Sequence, residues 1–346
     1  MEKVQINLGE KSYDILIGKN LLKCLPNLIG TNGEKGFIIT DENVDALYGN
    51  QINVLHNYHK ITLAPGEKSK SMDTTMDILS QMLREGLSRK SWIIAFGGGV
   101  VGDLAGFCSS IYMRGIPFIQ IPTTLLAQID SSVGGKTGVN LSDYKNSIGT
   151  FYQPRQVIID TEFLHTLPYR ELLSGIGEMI KYGIIYDHTF FQYIVKEIDQ
   201  IKALDNEIMA YAIKRCCEIK AEVVSQDEKE EGLRKILNFG HTLGHALEGL
   251  THFSTYTHGE AVIIGMYYET LIAKRLGIIS QQYSREIEIF LESLGVDLDI
   301  AAYPLSKLID WMSRDKKNSH GKISFILPIS EGKVSELLLD SDEIYW

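Results

Sequence analysis

The N-terminal stretch "MEKVQINLGEKSYDILIG" alternates polar and apolar residues, the period-2 pattern of a half-buried strand. Short apolar, β-branched runs follow at "GFIIT" (36–40), "KITLA" (60–64), "SWIIAF" (91–96), "IPFIQI" (116–121) and "QVIID" (156–160). Between them the pattern turns helical, as in "SMDTTMDILSQMLREGL" (71–87). Strands alternating with helices predict a parallel sheet covered on both faces. After about residue 160, long helical patterns take over at 169–186, 207–226, 237–250 and 258–277. Near the end, "KISFILP" and "KVSELLL" flank "ISEG" and predict a hairpin. The expectation is an α/β, Rossmann-like N-terminal domain over 1–160 and a mostly α-helical C-terminal domain over 161–346.

Composition narrows the function classes. The 346 residues, 44% of them hydrophobic, suit two cores, because single cores rarely grow beyond roughly 250–300 residues. A net charge of −10 with no local basic stripe argues against a nucleic-acid partner. No apolar run approaches the ~20 residues of a membrane span, and the N-terminus has no apolar signal-peptide segment. Cys24, Cys108, Cys216 and Cys217 show no C-x-x-C spacing and read as free thiols of a reducing compartment. A cytoplasmic location is expected.

Two stretches of the first part carry candidate chemistry. In "SWIIAFGGGVVGDLAG", Gly97, Gly99 and Gly102 fit G-x-G-x-x-G after a strand, where missing Cβ atoms let backbone amides approach a pyrophosphate at a helix N-terminus. The alternative is a tight strand–helix turn. The turn comes late for a Rossmann fingerprint and lacks the acidic residue about 20 positions on. Asp41, after "GFIIT", and Glu67 and Lys70 in "PGEKSK" are candidates for the ribose contact. The second stretch, 121–154, reads as a long polar loop with Thr123, Thr124, Asp130, Lys136, Lys145 and Asn146. Its "GGKT" lacks the earlier glycine of a Walker A loop, which disfavours an ATPase.

The helical part offers metal chemistry. In "LNFGHTLGHALEGL" (237–250), His241 and His245 stand four apart, on one face of a helix. The glutamate of H-E-x-x-H is absent, so this is not a zinc-protease motif. His258 in "THGEAV" opens another helix, and Glu178 and Lys181 in "GEMIKYG" lie three apart on a third. A glutamate with histidines from two other helices makes a three-ligand site with room for substrate. The competing reading is a structural histidine pair. Lys136, Lys181, Lys220, Arg234, Lys316 and Lys317 read singly as solvated surface; converged, they imply a substrate with more than one anionic group.

The motifs "GGGVVGDLAGF", "QIPTTLLAQIDSSVGGKTGVN", "GIGEMIKYG", "LNFGHTLGHALE", "HGEAVIIGM" and "DKKN" occur in this order. Together they resemble the 3-dehydroquinate synthases of the sugar phosphate cyclase superfamily, over nearly the whole chain. The resemblance implies a lyase of the shikimate pathway, with NAD and a divalent metal, zinc or cobalt, as cofactors. It implies metal ligation by Glu178, His241 and His258, and NAD contacts from Asp41, Glu67, Lys70, Gly99, Val100, Val101, Gly102, Asp103, Thr123, Thr124, Lys136, Lys145, Phe163 and Thr166. It further implies catalytic roles for His245, Lys181, Asp130 and Asn238. Substrate contacts would come from Lys136, Asn146, Lys220, Arg234 and one of Lys316 or Lys317. Arg114 in "YMRG" matches an arginine that reaches the phosphate across a homodimer interface. The implied substrate is a phosphorylated sugar acid. The alternatives are another sugar phosphate cyclase or a metal-dependent polyol dehydrogenase; the arginine and asparagine kept in "EGLRKILNFGH" argue against a cyclase whose substrate lacks a carboxylate.

Overall fold

The computed structural model describes residues 1–30, 33–141, 144–313 and 321–346. In chain order the first elements are β1 (Glu2–Ile6), β2 (Tyr13–Gly18), α1 (Leu25–Ile29), β3 (Gly36–Asp41), α2 (Glu42–Tyr48), β4 (Tyr58–Leu63), α3 (Met72–Arg84), β5 (Trp92–Gly97), α4 (Gly99–Ile111), β6 (Phe118–Pro122), β7 (Lys136–Leu141), β8 (Tyr144–Phe151) and β9 (Gln156–Asp160). Helices follow: α5 (Tyr169–Ile185), α6 (His188–Lys202), α7 (Asn206–Gln226), α8 (His241–Leu250), α9 (His258–Arg275), α10 (Gln281–Glu292) and α11 (Leu305–Met312). The hairpin β10 (Ile323–Ser330) and β11 (Lys333–Leu339) comes last, as the sequence pattern predicts.

The chain forms two compact units, Met1–Leu167 with Asn206–Lys229, and Pro168–Asp205 with Glu230–Trp346. The first is built on a seven-stranded sheet of order β1-β2-β9-β6-β5-β3-β4. Its pairings are parallel except β1 with β2. Strand periodicity explains why "GFIIT" and "SWIIAF" are apolar throughout. Phe37, Ile39, Ile93 and Ala95 enter the core against α3 and α4, while Ile38, Ile94 and Phe96 enter the core on the other face.

Two expectations need correction. Helix α7 belongs to the first unit: it lies against β1 and β2, and Lys220 on it pairs with Asp130. Its pattern is helical, but its apolar face completes the sheet's cover; local periodicity cannot say which core a helix joins. The stretch 121–154 is not one long loop. It holds a single π-helical turn (Ala127–Ser131) and the antiparallel hairpin β7–β8, whose Gly138 and Gly149 face backbone at distances no Cβ tolerates. Polar composition concealed a paired hairpin, whose glycines and threonines are there for close backbone approach.

In the second unit, α5 is buried along most of its length and packs on α9, which also packs on α8. Glycines allow these crossings. A Cβ on Gly259 would lie 2.0 Å from Ser174 O, and one on Gly265 would lie 1.9 Å from Gly240 O.

Candidate active-site groups

In the first unit, the sheet order reverses where the chain leaves β3 for β4 and returns through β5 on β3's other side. Ligands of open α/β sheets bind at such a switch point, beyond the strands' C-terminal ends. Thr40 pairs with Phe96, so Asp41 and Gly97 end adjacent strands there. The glycine turn follows directly: Gly98 caps α4, and Gly102 N donates to Gly98 O at 3.0 Å. A Cβ would come within 3.1 Å of Thr124 at Gly98, 3.0 Å of Ser131 at Gly99 and 2.7 Å of Gln120 at Gly102. The turn is therefore shaped for backbone approach at the N-terminus of a 13-residue helix, the setting in which amides receive a pyrophosphate. The residues present fit a dinucleotide.

Several predicted NAD residues gather beside this turn. The buried Lys70 ammonium meets the Asp103 carboxylate at 2.5 Å and donates to the Asn146 side-chain carbonyl. Asn140 on β7 donates to Glu67 at 2.8 Å and to Lys70 O at 2.9 Å, tying the hairpin to the "PGEKSK" turn. Burial pushes the Asp103 carboxyl above its ordinary range, against the pull of Lys70. Asp41 accepts from Asn43 N and Val44 N through Oδ1 and so caps α2. Thr123 N donates to Gly97 O at 3.0 Å, and Thr124 Oγ1 accepts from Ala127 N at 3.2 Å. Val100 is half-buried next to Gly99, and Lys145 is half-buried on β8. Phe163 and Val101 are core residues, Phe163 packed between the Tyr48 and Phe96 rings, so a ligand meets them only through their backbone. Thr166 bonds Tyr48 at 2.7 Å. Lys136 is exposed at the start of β7. Asp130 lies on the π-helical turn, and Lys220 from α7 reaches both its carboxylate (2.5 Å) and its backbone oxygen (2.6 Å). Arg114 is exposed, and it and Met113 both hold left-handed backbone (φ 69° and 50°). Such a conformation is uncommon for non-glycine residues.

The second unit brings together the predicted metal ligands. Glu178 on α5 is fully buried (0% exposed), and its Oε1 lies 3.5 Å from His241 Nε2 and 3.6 Å from His258 Nε2. Atoms at zinc-ligand distances of ~2.0–2.1 Å around a tetrahedral centre stand about 3.4 Å apart. Glu178 Oε1 is thus spaced from each of the two imidazole nitrogens as two ligands of one cation would be. Lys181, one turn on and 1% exposed, donates to Glu178 Oε2. The His245 ring is 5.2 Å from that of His241 and 5.8 Å from that of His258, and one nitrogen of each of the three imidazoles falls within 4.8 Å of the others. Glu178 is closer to His241 and His258 than this, and His245 is exposed. The donor set, a buried carboxylate with imidazole nitrogens, fits a divalent cation such as zinc.

Burial drives His241 well below the ordinary imidazole range, with Lys181, His245 and His258 adding to the effect. Its Nε2 lone pair is therefore available at neutral pH. Burial also disfavours a charged His258, but Glu248 and Glu178 outweigh it and raise this imidazole to about 10. Glu248 was missed at the sequence level. It stands seven residues after His241 and three after His245, the spacing of one helix face, and that spacing was the available signal. The sequence reading also ran the helix through 237–250. Instead, Asn238 ends a 3₁₀ turn (Leu233–Asn238), and Gly240 at φ 78° breaks the path before α8 starts at His241. Asn238 donates to Glu230 at 2.8 Å and to Lys235 O at 3.0 Å. Arg234 is almost completely buried on the same turn. Lys316 and Lys317 lie outside the described residues.

Comparison with known proteins places the chain in a family. Among solved structures, a 2-deoxy-scyllo-inosose synthase complexed with carbaglucose-6-phosphate, NAD+ and Co2+ matches with a TM-score of 0.90 and 26% identity, covering 99% of this chain and 98% of that one. A 2-epi-5-epi-valiolone synthase from Streptomyces hygroscopicus subsp. jinggangensis, with NAD+ and Zn2+ bound, matches with a TM-score of 0.90 and 26% identity over 98% of this chain and 96% of that one. The fold is thus that of the cyclases. The models for the 3-dehydroquinate synthase N-terminal and C-terminal regions match residues 60–174 and 175–318. A 3-dehydroquinate synthase of Alkaliphilus metalliredigens is 56% identical, over 99% of this chain and 97% of its own length. The chain belongs to the 3-dehydroquinate synthase family. Among the described residues, no helix is long and apolar enough to cross a membrane.

Proposed function

We propose that this chain converts 3-deoxy-D-arabino-heptulosonate 7-phosphate to 3-dehydroquinate and phosphate, in the shikimate pathway, as a cytoplasmic homodimer. The observation that carries the reading is the convergence of Glu178, His241 and His258 beside Lys181, in a chain 56% identical to a curated synthase along almost its full length. When bound, NAD supplies a reversible hydride acceptor, and the divalent cation, zinc or cobalt, a Lewis acid that lowers the pKa of substrate hydroxyls.

The first unit is the proposed NAD-binding domain. The α4 N-terminus with Gly99, Val100, Val101, Gly102 and Asp103 takes the pyrophosphate region, and Asp41, Glu67, Lys70, Thr123, Thr124, Lys136, Lys145, Phe163 and Thr166 take the remainder. The second unit is the proposed metal-binding domain, with Glu178, His241 and His258 as ligands. Lys181 donates a hydrogen bond to the Glu178 carboxylate and so orients it, and its ammonium contributes to substrate binding. His245, exposed on the face that carries His241, moves a proton. Arg234 and Asn238 bind and orient the substrate, as do Lys136, Asn146 and Lys220, with Asp130 holding the Lys220 ammonium in place. Arg114 reaches the phosphate of the partner subunit's substrate.

Purified protein incubated with NAD+, zinc and the heptulosonate phosphate is expected to release phosphate and dehydroquinate in equal amounts without accumulating NADH. Absence of both products overturns the reading, and steady NADH formation points to a dehydrogenase instead.

Zinc loading is expected to depend on pH through His258. The cation must displace the proton that Glu248 and Glu178 hold there, whereas His241 is already neutral. With His258 raised to about 10, one proton leaves per zinc bound below that pH. Zinc affinity should then fall about tenfold for each pH unit from 8 to 6. Chelator-competition titrations across that range check the slope; a slope of zero, or of two protons, contradicts it.

A further inference from the structure

Helices α8 and α9 run in opposite directions and exchange carboxylates at their two ends. At one end, Glu269 of α9, fully buried, accepts from Gly240 N at 2.7 Å and from Leu243 N at 3.3 Å. These N–H groups open α8, and its N-cap is a glycine with no side chain to receive them. At the other end, Glu248 of α8, 3% exposed, accepts from Nδ1 of His258, the first residue of α9, at 3.2 Å. Between the two ends the backbones nearly touch: a Cβ on Gly244 would lie 3.0 Å from Ala261 O. The Glu248–His258 bond therefore spans two helices that have little room to slide.

That bond has a directional consequence. An imidazole whose Nδ1–H is held by a carboxylate presents the Nε2 lone pair on its opposite side. For His258, that atom lies 3.6 Å from Glu178 Oε1. His241 is held in the same sense, its Nδ1 donating to Phe239 O at 3.0 Å while Nε2 faces Glu178. We propose that Glu248 is a positioning residue for the metal site, fixing the tautomer and ring orientation of His258 so that its Nε2 meets the same cation as His241 and Glu178. This rests on the reading that those three residues are the ligands.

The test compares Glu248→Ala, Glu248→Gln and His258→Ala with the unaltered full-length protein. Zinc affinity is measured by chelator competition, ligand geometry by the visible absorption of the Co2+-loaded protein, and integrity of the fold by NAD binding. Glu248→Ala is expected to weaken zinc by about 10–100-fold and to alter the Co2+ spectrum, with NAD affinity unchanged. Glu248→Gln keeps an oxygen acceptor for Nδ1–H, so it should restore most of the affinity and return the spectrum toward that of the unaltered protein. The proposal is overturned if Glu248→Ala binds zinc as tightly as the unaltered protein with the same spectrum. It is also overturned if Glu248→Gln, still binding NAD, is as impaired as Glu248→Ala; this decides the matter even if the alanine variant fails to fold. A His258→Ala protein with unaltered zinc affinity would instead remove the ligand assignment itself, a result distinct from either Glu248 outcome.

Discussion

His241→Ala is expected to lose bound metal and turnover together, while His245→Ala keeps the metal and loses rate. His241 Nε2 is spaced from Glu178 Oε1 as two ligands of one cation would be, and its neutral state at pH 7 follows from burial and neighbouring positive charge. Removing a ligand should weaken zinc by more than the 10–100-fold that a supporting group costs. His245 is exposed, whereas Glu178 and His241 are buried, so its loss is expected to remove proton transfer rather than ligation. A fall of about 10²–10⁴ in kcat is expected, with zinc affinity within a few-fold of the unaltered protein. Metal content after gel filtration, measured beside the steady-state rate, separates the two roles. Equal metal loss in both variants would make His245 a ligand as well and overturn this division of roles.

Gly265→Ala should weaken the metal site although residue 265 ligates nothing. Its Cβ would fall 1.9 Å from Gly240 O, the carbonyl just before His241, and backbone cannot rotate away as a side chain can. The helices must separate there, moving His241 on α8 relative to His258 on α9. Overpacking in a close-packed interior costs about 1–3 kcal/mol, and a backbone clash belongs at or above the upper end. The expected result is a loss of about 3 kcal/mol in urea unfolding together with weaker zinc binding. Gly277→Ala is the control: that glycine meets nothing within 4 Å but sits at φ 68°, so any cost comes from local backbone strain, without a change in zinc affinity. Unchanged zinc affinity in Gly265→Ala would show that α8 and α9 do not set the ligand spacing.

Much of the first unit was legible in the sequence because the signals are local. A short, β-branched apolar run such as "WIIAF" bounded by glycines favours a strand covered on both faces, and the glycines after it mark a turn that a Cβ would block. The histidine spacing in α8 was likewise legible, since helical period alone places His241 and His245 on one face. Less was legible in the polar stretch 121–154, where glycines and threonines that read as loop form the paired strands β7 and β8. The helix expected over 237–250 also misled, because Gly240 was read by helical context rather than by the left-handed φ it adopts.

The sequence by itself determined most of the sheet strands and long helices, the glycine turn and, through its ordered motifs, the family to which the chain belongs. Tertiary structure decided what depends on distant segments. It placed α7 with the sheet, because an amphipathic face carries no address for the core it will cover. It set Glu178 Oε1 at 3.5 and 3.6 Å from two histidines on other helices, a spacing that follows from glycine-lined helix crossings. It also made Glu248 a partner of His258, ten residues along the chain but across a helix interface, because α8 and α9 pack with their backbones nearly in contact.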